Sequence, residues 1–333
     1  MRLLILGGTK FLGRHLVDVA LGAGHAVTLF NRGSRPGLFP GVEELQGDRS
    51  AGPAGLKALR GREWDAVIDT SGYVPRLVGA SVELLKGFVG QYVFISSISV
   101  YEDFAEAPDE SAATTPLADP SSEDIPRDYG ALKAACERAV TTTFGARALN
   151  IRPGLIVGPF DPSGRFTYWP LRLARGGEVL APDDPAGDVQ FIDVRDLARW
   201  VVRLAERRVG GVFNATGPAR PLRFDTFLQS AARALGAECR FTWVDAKFLK
   251  QMQVQAWIEL PLWVDDAPGL NRTRIGRALS EGLIFTPLEQ TVLDTYAWAQ
   301  EQLRTAGRES LGAAGLAADK EAALLRAWTR RSG

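Results

Sequence analysis

The sequence predicts an α/β fold, a doubly wound parallel sheet with a smaller, mostly helical C-terminal lobe. Three observations predict it. Short apolar runs alternate with helical segments through the first half of the chain, and a glycine-rich turn joins the first run to the first helix. Beyond about residue 155, clusters of Gly, Pro and Asp break the alternation.

Residues 3–6 read as a buried strand, 11–21 as a helix with Phe11, Leu12, Leu16 and Val19 near one face, and 26–30 as a second strand. A weaker third strand falls at 42–46, followed by a helix around 54–59. Residues 64–68 are the fourth strand, 77–88 a helix and 92–95 the fifth strand. Residues 102–127, rich in Pro, Ser, Asp, Glu and Ala, read as a long surface loop, a feature usually tied to function. Helix resumes near Tyr129 and runs to about Phe144, and 148–151 form the sixth strand. The chain then leaves the sheet and is expected to return with 189–192, a helix at 194–206 and a strand at 212–215. From 222 onward the pattern is mostly helical and closes with an amphipathic helix at about 319–328. The expected division is 1–154 with 188–218 as a dinucleotide-binding unit, and 155–187 with 219–333 as a substrate-binding lobe.

The chain of 333 residues is ample for such a core, and its 39 basic and 39 acidic residues cancel. A neutral chain has no global field to draw it to nucleic acid or an anionic membrane, so neither partner is expected. Cys136 and Cys239 form no CxxC, and His15 and His25 leave little to hold a metal, so no metal site is expected. This cysteine usage suits a reducing cytoplasmic setting. The opening apolar run is too short for a signal peptide, and no later stretch approaches the length of a membrane span.

Leu6-Gly7-Gly8-Thr9-Lys10-Phe11-Leu12-Gly13 lies between the first strand and the first helix. Glycines there allow a tight turn and close backbone approach to a pyrophosphate, whose charge is favourable at a helix N-terminus. Lys10 stands where the middle glycine of the usual spacing would be. An acid ending the second strand would bond the adenosine ribose of NAD, and a base would meet the 2′-phosphate of NADP. The chain has Asn31-Arg32-Gly33-Ser34-Arg35, which favours NADP with NAD possible. The alternative is that Arg32 and Arg35 are solvated loop residues. Asp48 is placed either to accept from an adenine amino group or to cap a helix, and Arg49, which follows it, is a candidate cofactor contact.

Tyr129-Gly130-Ala131-Leu132-Lys133 puts a phenol and an ammonium on one helix face, where the ammonium field is expected to lower the phenol's pKa and the lysine to hold ribose hydroxyls. Upstream, Ser96-Ser97-Ile98-Ser99 ends the fifth strand. Ser97 is the candidate to hold a substrate oxygen, and Ser96 and Ser99 are the alternatives. Arg165 and Arg195 could meet a substrate phosphate or form salt bridges. Phe166, Tyr168 and Trp169 could line a pocket or pack in a core.

With the glycine turn, Asp48, the Ser-Ser-x-x-Val-Tyr run, the Tyr129/Lys133 pair, Arg152-Pro153-Gly154, Gly158-Pro159 and Asp193-Val194-Arg195-Asp196-Leu197-Ala198, the chain resembles extended short-chain dehydrogenase/reductases, the NAD-dependent epimerase/dehydratase group. It is also similar to a bacterial branch labelled epimerase or 2′-hydroxyisoflavone reductase and related to chloroplast stem-loop-binding proteins. The resemblance implies a Rossmann-like fold and a catalytic set of Ser97, Tyr129 and Lys133. It implies that Pro153 and Gly154 pass the nicotinamide ring and that Thr70, Ser71 and Gly72 lie along the cofactor; Tyr73, the next residue, is a candidate substrate contact. Three functions follow as expectations: an NAD(P)-dependent oxidoreductase of a small carbonyl or alcohol, an epimerase or dehydratase of a sugar-like substrate that recycles its cofactor, or a non-catalytic or RNA-associated dinucleotide binder. A homodimer is also expected, through the helices at 77–88 and 129–144 and their residues Ala80, Leu84, Ala135 and Ala139; these residues could instead face their own core.

Overall fold

Apolar runs without polar interruption make strands that are buried on both faces, as a parallel sheet covered by helices requires. The computed structural model describes residues 1–182 and 184–332. In chain order the first half comprises β1 (Arg2–Leu6), α1 (Phe11–Gly22), β2 (Ala26–Asn31), β3 (Glu43–Gln46), β4 (Trp64–Asp69), α2 (Pro75–Leu85), β5 (Val89–Ile95), α3 (Ile125–Phe144) and β6 (Ala148–Pro153). There follow β7 (Ile156–Val157), α4 (Arg165–Leu173), β8 (Gly177–Pro182), β9 (Asp188–Val189), β10 (Ile192–Asp193), α5 (Val194–Glu206) and β11 (Gly211–Ala215). The remainder is β12 (Leu222–Arg223), α6 (Phe224–Ala234), β13 (Cys239–Val244), α7 (Ala246–Gln251), α8 (Gly276–Ser280), α9 (Leu288–Ala306) and α10 (Ala318–Ser332).

The main sheet has the order β3-β2-β1-β4-β5-β6-β11, with every pairing parallel. The expected α/β fold is the one observed. Alternate residues of β1 serve opposite layers: Leu3 and Ile5 pack with α1 and α5, and Leu4 and Leu6 with α2 and α3. Strand order reverses between β1 and β4, which opens a crevice at the carboxyl ends of these strands, where ligands bind in folds of this kind. A third apolar cluster, built on Phe166, Trp169, Phe227, Leu249 and Leu324, forms the core of the C-terminal region. A buried ion pair, Arg172 Nε to Glu321 Oε2 at 2.6 Å, ties α4 to α10 there.

Some elements differ from the sequence reading. The helix expected around 54–59 is two short 3-10 turns, Arg49–Ala54 and Lys57–Leu59. Pro53 supplies no N–H, and Gly52 takes φ 62°, outside helical space. Residues 86–88 are a turn, and β5 begins earlier, at Val89. α3 starts at Ile125 because Asp124 caps it, accepting from the Arg127 amide at 3.2 Å. Residues 189–192 do not rejoin the main sheet; β9 pairs with β12 and β10 with β7. The helical reading beyond 222 overlooked β13, which runs parallel to β8. Among the described residues no helix is long and apolar enough to cross a membrane, and no group of three or more His, Cys, Asp or Glu residues is placed to hold a metal ion.

Candidate active site

The site is assembled at the carboxyl ends of β1, β2, β4, β5 and β6. After β1 the backbone turns through Gly7 at φ 108° and Gly8 at φ 88°, values that L side chains rarely adopt. A Cβ on Gly7 would lie 2.5 Å from Thr70 Oγ1, and one on Gly13 only 2.7 Å from Gly8 Cα. Both positions therefore need glycine for close approach. Lys10 occupies the N-cap of α1 without a side-chain capping bond, and the first turn holds no acid, so the helix N-terminus is open to an anion. Thr9 and Leu12 are buried, Phe11 is half-buried with φ 32°, and Lys10 is exposed.

At the end of β2, Asn31 Oδ1 accepts from the Gly33 amide at 2.7 Å, and Gln46 Nε2 donates to the Arg32 carbonyl at 3.2 Å. These bonds fix the turn and leave the Arg32 side chain exposed. Arg35 Nη1 reaches the Thr9 carbonyl at 3.5 Å, which brings a second guanidinium beside the glycine turn. Asp48 acts as a cap: its Oδ1 accepts from the Ser50 amide at 2.9 Å and the Ser50 hydroxyl at 2.7 Å. Those bonds hold its carboxyl below the usual range. Arg49, expected beside the cofactor, turns inward instead and forms a two-pronged pair with Asp69, both bonds 2.8 Å.

The turn after β4 lies against β1. The Leu6 carbonyl accepts from the Thr70 amide at 3.1 Å, Thr70 Oγ1 at 2.9 Å and Ser71 Oγ at 3.2 Å. Next to it, Ser97 caps a 3-10 turn, accepting from the Ser99 amide at 3.1 Å and donating to Ser99 Oγ at 3.1 Å. Ser99 is exposed beside it. Gly130 carries α3 onto this turn: a Cβ there would sit 2.0 Å from the Ser99 carbonyl oxygen. That approach brings Tyr129 near Ser97 and to Tyr73, whose ring centroid is 6.4 Å away. Gly130 was present in the sequence motif without an assigned role. The signal was available, since glycine inside a helix is costly unless packing requires it.

Lys133 is 3% exposed, and its Nζ donates to the Gly72 carbonyl at 2.8 Å and the Ile95 carbonyl at 2.6 Å. Burial lowers its pKa to about 8. The expectation that Lys133 depresses the Tyr129 pKa is corrected. Burial first and then Tyr73 hold the phenol above its ordinary value, opposed by the nearby Ser97 hydroxyl. The lysine is directed to the two carbonyls instead. On the far wall, the Gly154 amide donates to the Ala215 carbonyl at 3.1 Å, next to Pro153 at the end of β6. Ser96 Oγ, Asn31 Nδ2 and Thr216 Oγ1 are buried without hydrogen-bond partners among the described residues. Orphaned polar atoms around a glycine cradle fit a polar ligand lying along the strand ends.

The residues suggested for substrate divide. Tyr73 and Ser99 stand at the crevice, exposed beside Tyr129 and Ser97. Arg165 is half-buried with its guanidinium 5.6 Å from the Trp257 ring centroid. Arg195 is committed to salt bridges with Asp193, at 2.6 Å, and with Asp294. Tyr168 and Trp169 are core residues. Trp169 is fully buried, donates to the Pro261 carbonyl at 2.8 Å and packs edge-on against Phe224; Gly315 backs onto the Tyr168 ring.

A doubly wound sheet with this glycine turn and strand-end crevice defines a dinucleotide-binding α/β protein of the Rossmann class. More narrowly, residues 3–216 match the model of the NAD dependent epimerase/dehydratase family, and the chain belongs to that family. Curated relatives include the chloroplast stem-loop binding protein of 41 kDa b of Arabidopsis thaliana, 28% identical over 71% of this chain and 63% of that protein. They also include 2′-dehydrokanamycin reductase of Streptomyces kanamyceticus, 26% identical over 71% of this chain and 67% of the relative. A third is 2-alkyl-3-oxoalkanoate reductase of Stenotrophomonas maltophilia, 30% identical over 60% of this chain and 64% of the relative. The chain thus spans less than two thirds of the length of the first and third of these relatives. Among solved structures, the Bordetella bronchiseptica enzyme WbmH in complex with NAD+ shares the fold, with a TM-score of 0.65 and 18% identity over 92% of this chain and 99% of that one.

Proposed function

We propose that the protein is an NADP-preferring oxidoreductase that transfers hydride and a proton at a carbonyl or alcohol carbon of a small substrate. The observation that carries this reading is the gathering of Ser97, Tyr129 and Lys133 beside the glycine turn, with the Tyr73 ring 6.4 Å from that of Tyr129 and 4.8 Å from Lys133 Nζ. The bound nicotinamide supplies or accepts the hydride. Gly7, Gly8 and Gly13 let the backbone approach the pyrophosphate, the open end of α1 receives its charge, and Arg32, Arg35 and Lys10 meet a 2′-phosphate. Lys133 holds ribose hydroxyls, Ser97 holds the substrate oxygen, and Tyr129 passes a proton to or from it. Tyr73, Ser99 and Arg165 are the proposed substrate contacts, and the two reductases among the relatives favour net reduction over internal recycling. The reading extends to a homodimer formed through α2 and α3, on which Ala80, Leu84, Ala135 and Ala139 are half-buried in the single chain.

The test follows NADPH and NADH absorbance with a panel of keto-sugars and 3-oxoalkanoates. Net oxidation with at least one carbonyl is expected. Tyr129→Phe should lower turnover by roughly 10²–10⁴-fold with cofactor affinity within twofold of the parent. Activity retained in Tyr129→Phe would refute the assigned role.

A further inference from the structure

One buried charge cluster lies beneath the site and takes no part in the chemistry just described. Asp69, the last residue of β4, is fully buried and accepts from four donors. Two come from Arg49, one from the Tyr92 hydroxyl at 2.8 Å and one from the Ser71 amide at 3.1 Å. Arg49 also donates to Ser71 Oγ at 3.2 Å and to the Leu77 carbonyl at 3.4 Å, at the head of α2. Next along the chain, Gly72 is seated on the same carboxylate; a Cβ there would be 3.1 Å from Asp69 Oδ2 and 2.6 Å from the Phe94 ring. The Gly72 carbonyl is one of the two that hold Lys133 Nζ.

We propose that Arg49 and Asp69 are positioning residues for Lys133: the pair locks the Ser71–Gly72 turn, and the turn presents the carbonyl that aims the ammonium at the cofactor. The inference rests on the reading of Lys133 as the ribose-holding lysine. Removing one partner of a buried ion pair is strongly destabilising, whereas replacing the whole pair with apolar residues is often harmless to stability. Fold stability alone is therefore a weak reason for the pair. Its connections run instead from the turn after β3, through Arg49 and Asp69, to Gly72 and the lysine. The charge of Asp69 also acts directly on the ammonium. The other groups facing Lys133 are Arg49, which opposes its charge, Cys136 and Glu137 on its own helix, and the Tyr73 and Phe94 rings at 4.8 and 4.6 Å.

The experiment is a double-mutant cycle read by NADPH and NADH fluorescence titration from pH 6 to 10, so no substrate is needed. In the parent, affinity should fall as pH rises through about 8, where the ammonium loses its proton. Lys133→Met should weaken binding and remove the inflection. Asp69→Asn should weaken binding on the order of tenfold and move the inflection to lower pH, because the carboxylate favours the ammonium. In the Lys133→Met background, Asp69→Asn should change affinity less than twofold. Equal losses in both backgrounds, or an unmoved inflection, would overturn the proposal and leave the pair a merely structural one. If Lys133→Met binds both cofactors as tightly as the parent, the earlier reading of Lys133 falls and takes the proposal with it. Circular dichroism checks folding. Should Asp69→Asn not fold, Arg49→Lys enters the same cycle: it keeps the charge but loses the two-pronged grip, and its affinity loss should likewise vanish in the Lys133→Met background.

Discussion

Cofactor preference can be measured before any substrate is known, and the proposed contact of Arg32 with a 2′-phosphate sets the size expected of it. Arg32 leaves the end of β2 with its backbone fixed by the Asn31–Gly33 and Gln46–Arg32 bonds, so presenting its side chain costs no loop ordering. No carboxylate among the described residues forms a salt bridge with it; Asp48, the acid that feels its charge, is occupied with Ser50. A hydrogen bond to a charged group contributes about 1.5–3 kcal/mol, and the exposure of Arg32 places it at the low end of that range. Losing about 1.5 kcal/mol corresponds to roughly tenfold in affinity. Arg32→Ala should therefore lower the ratio of NADPH to NADH affinity by roughly tenfold, with NADH affinity nearly unchanged. Arg32→Asp should reverse the preference by adding a like charge against the phosphate and an acceptor for the ribose hydroxyl. Fluorescence titration of each protein with both cofactors gives the ratio, and added salt should shrink it in the parent. Parent protein that binds NADH as tightly as NADPH, or an unchanged ratio in Arg32→Ala, would refute the reasoning.

Gly13→Ala should overpack the turn, since its Cβ would meet three Gly8 backbone atoms at 2.7–3.0 Å. A cost of about 1–3 kcal/mol is expected, seen as a lower melting temperature together with weaker cofactor binding. Trp169→Ala, at a fully buried core position, should destabilise by about 3–5 kcal/mol in a denaturant melt. A protein of unchanged stability with altered substrate KM would return Trp169 to the substrate site. The dimer is tested by light scattering at micromolar concentration: the parent should give twice the chain mass, and Ala135→Arg with Ala139→Arg should give the monomer.

The sheet was legible because its central strands are apolar on both faces, and runs such as Leu3–Leu6 have no other economical reading. The glycine turn and the Tyr129/Lys133 spacing were legible for a related reason, since each is a local pattern with a local cause. What failed to show depends on partners distant in the chain. β8 and β13 pair across some sixty residues, and neither has a turn signal pointing to the other. Arg49 looked like a cofactor contact because it follows Asp48, and only the fold brings the Asp69 carboxylate within reach. The aromatic run at Phe166–Trp169 likewise gave no sign of which way it faces. The lowered phenol pKa expected from Lys133 failed on geometry: four residues of helical spacing put both groups on one face, but the ammonium reaches back toward β4 and β5.

That reach explains how the site is held together. α3 carries Tyr129 and Lys133, and buried charge restrains it on two sides. One turn beyond Lys133, Glu137 pairs with Arg152 of β6 at 2.7 Å, and Arg152 also donates to the Tyr101 hydroxyl at 3.0 Å. Arg152 immediately precedes Pro153 and Gly154, so the same ion pair sets the far wall of the crevice and the register of the helix. On the near side, Lys133 bridges the Gly72 and Ile95 carbonyls over the ends of β4 and β5, with the Arg49–Asp69 pair beneath. Apolar packing would hold α3 against the sheet but would tolerate small shifts along it. Directional, charge-assisted bonds at both ends of the Lys133–Glu137 turn restrain such shifts, and proton transfer depends on that precision, because a misplacement of about 1 Å can cost a hundredfold in rate.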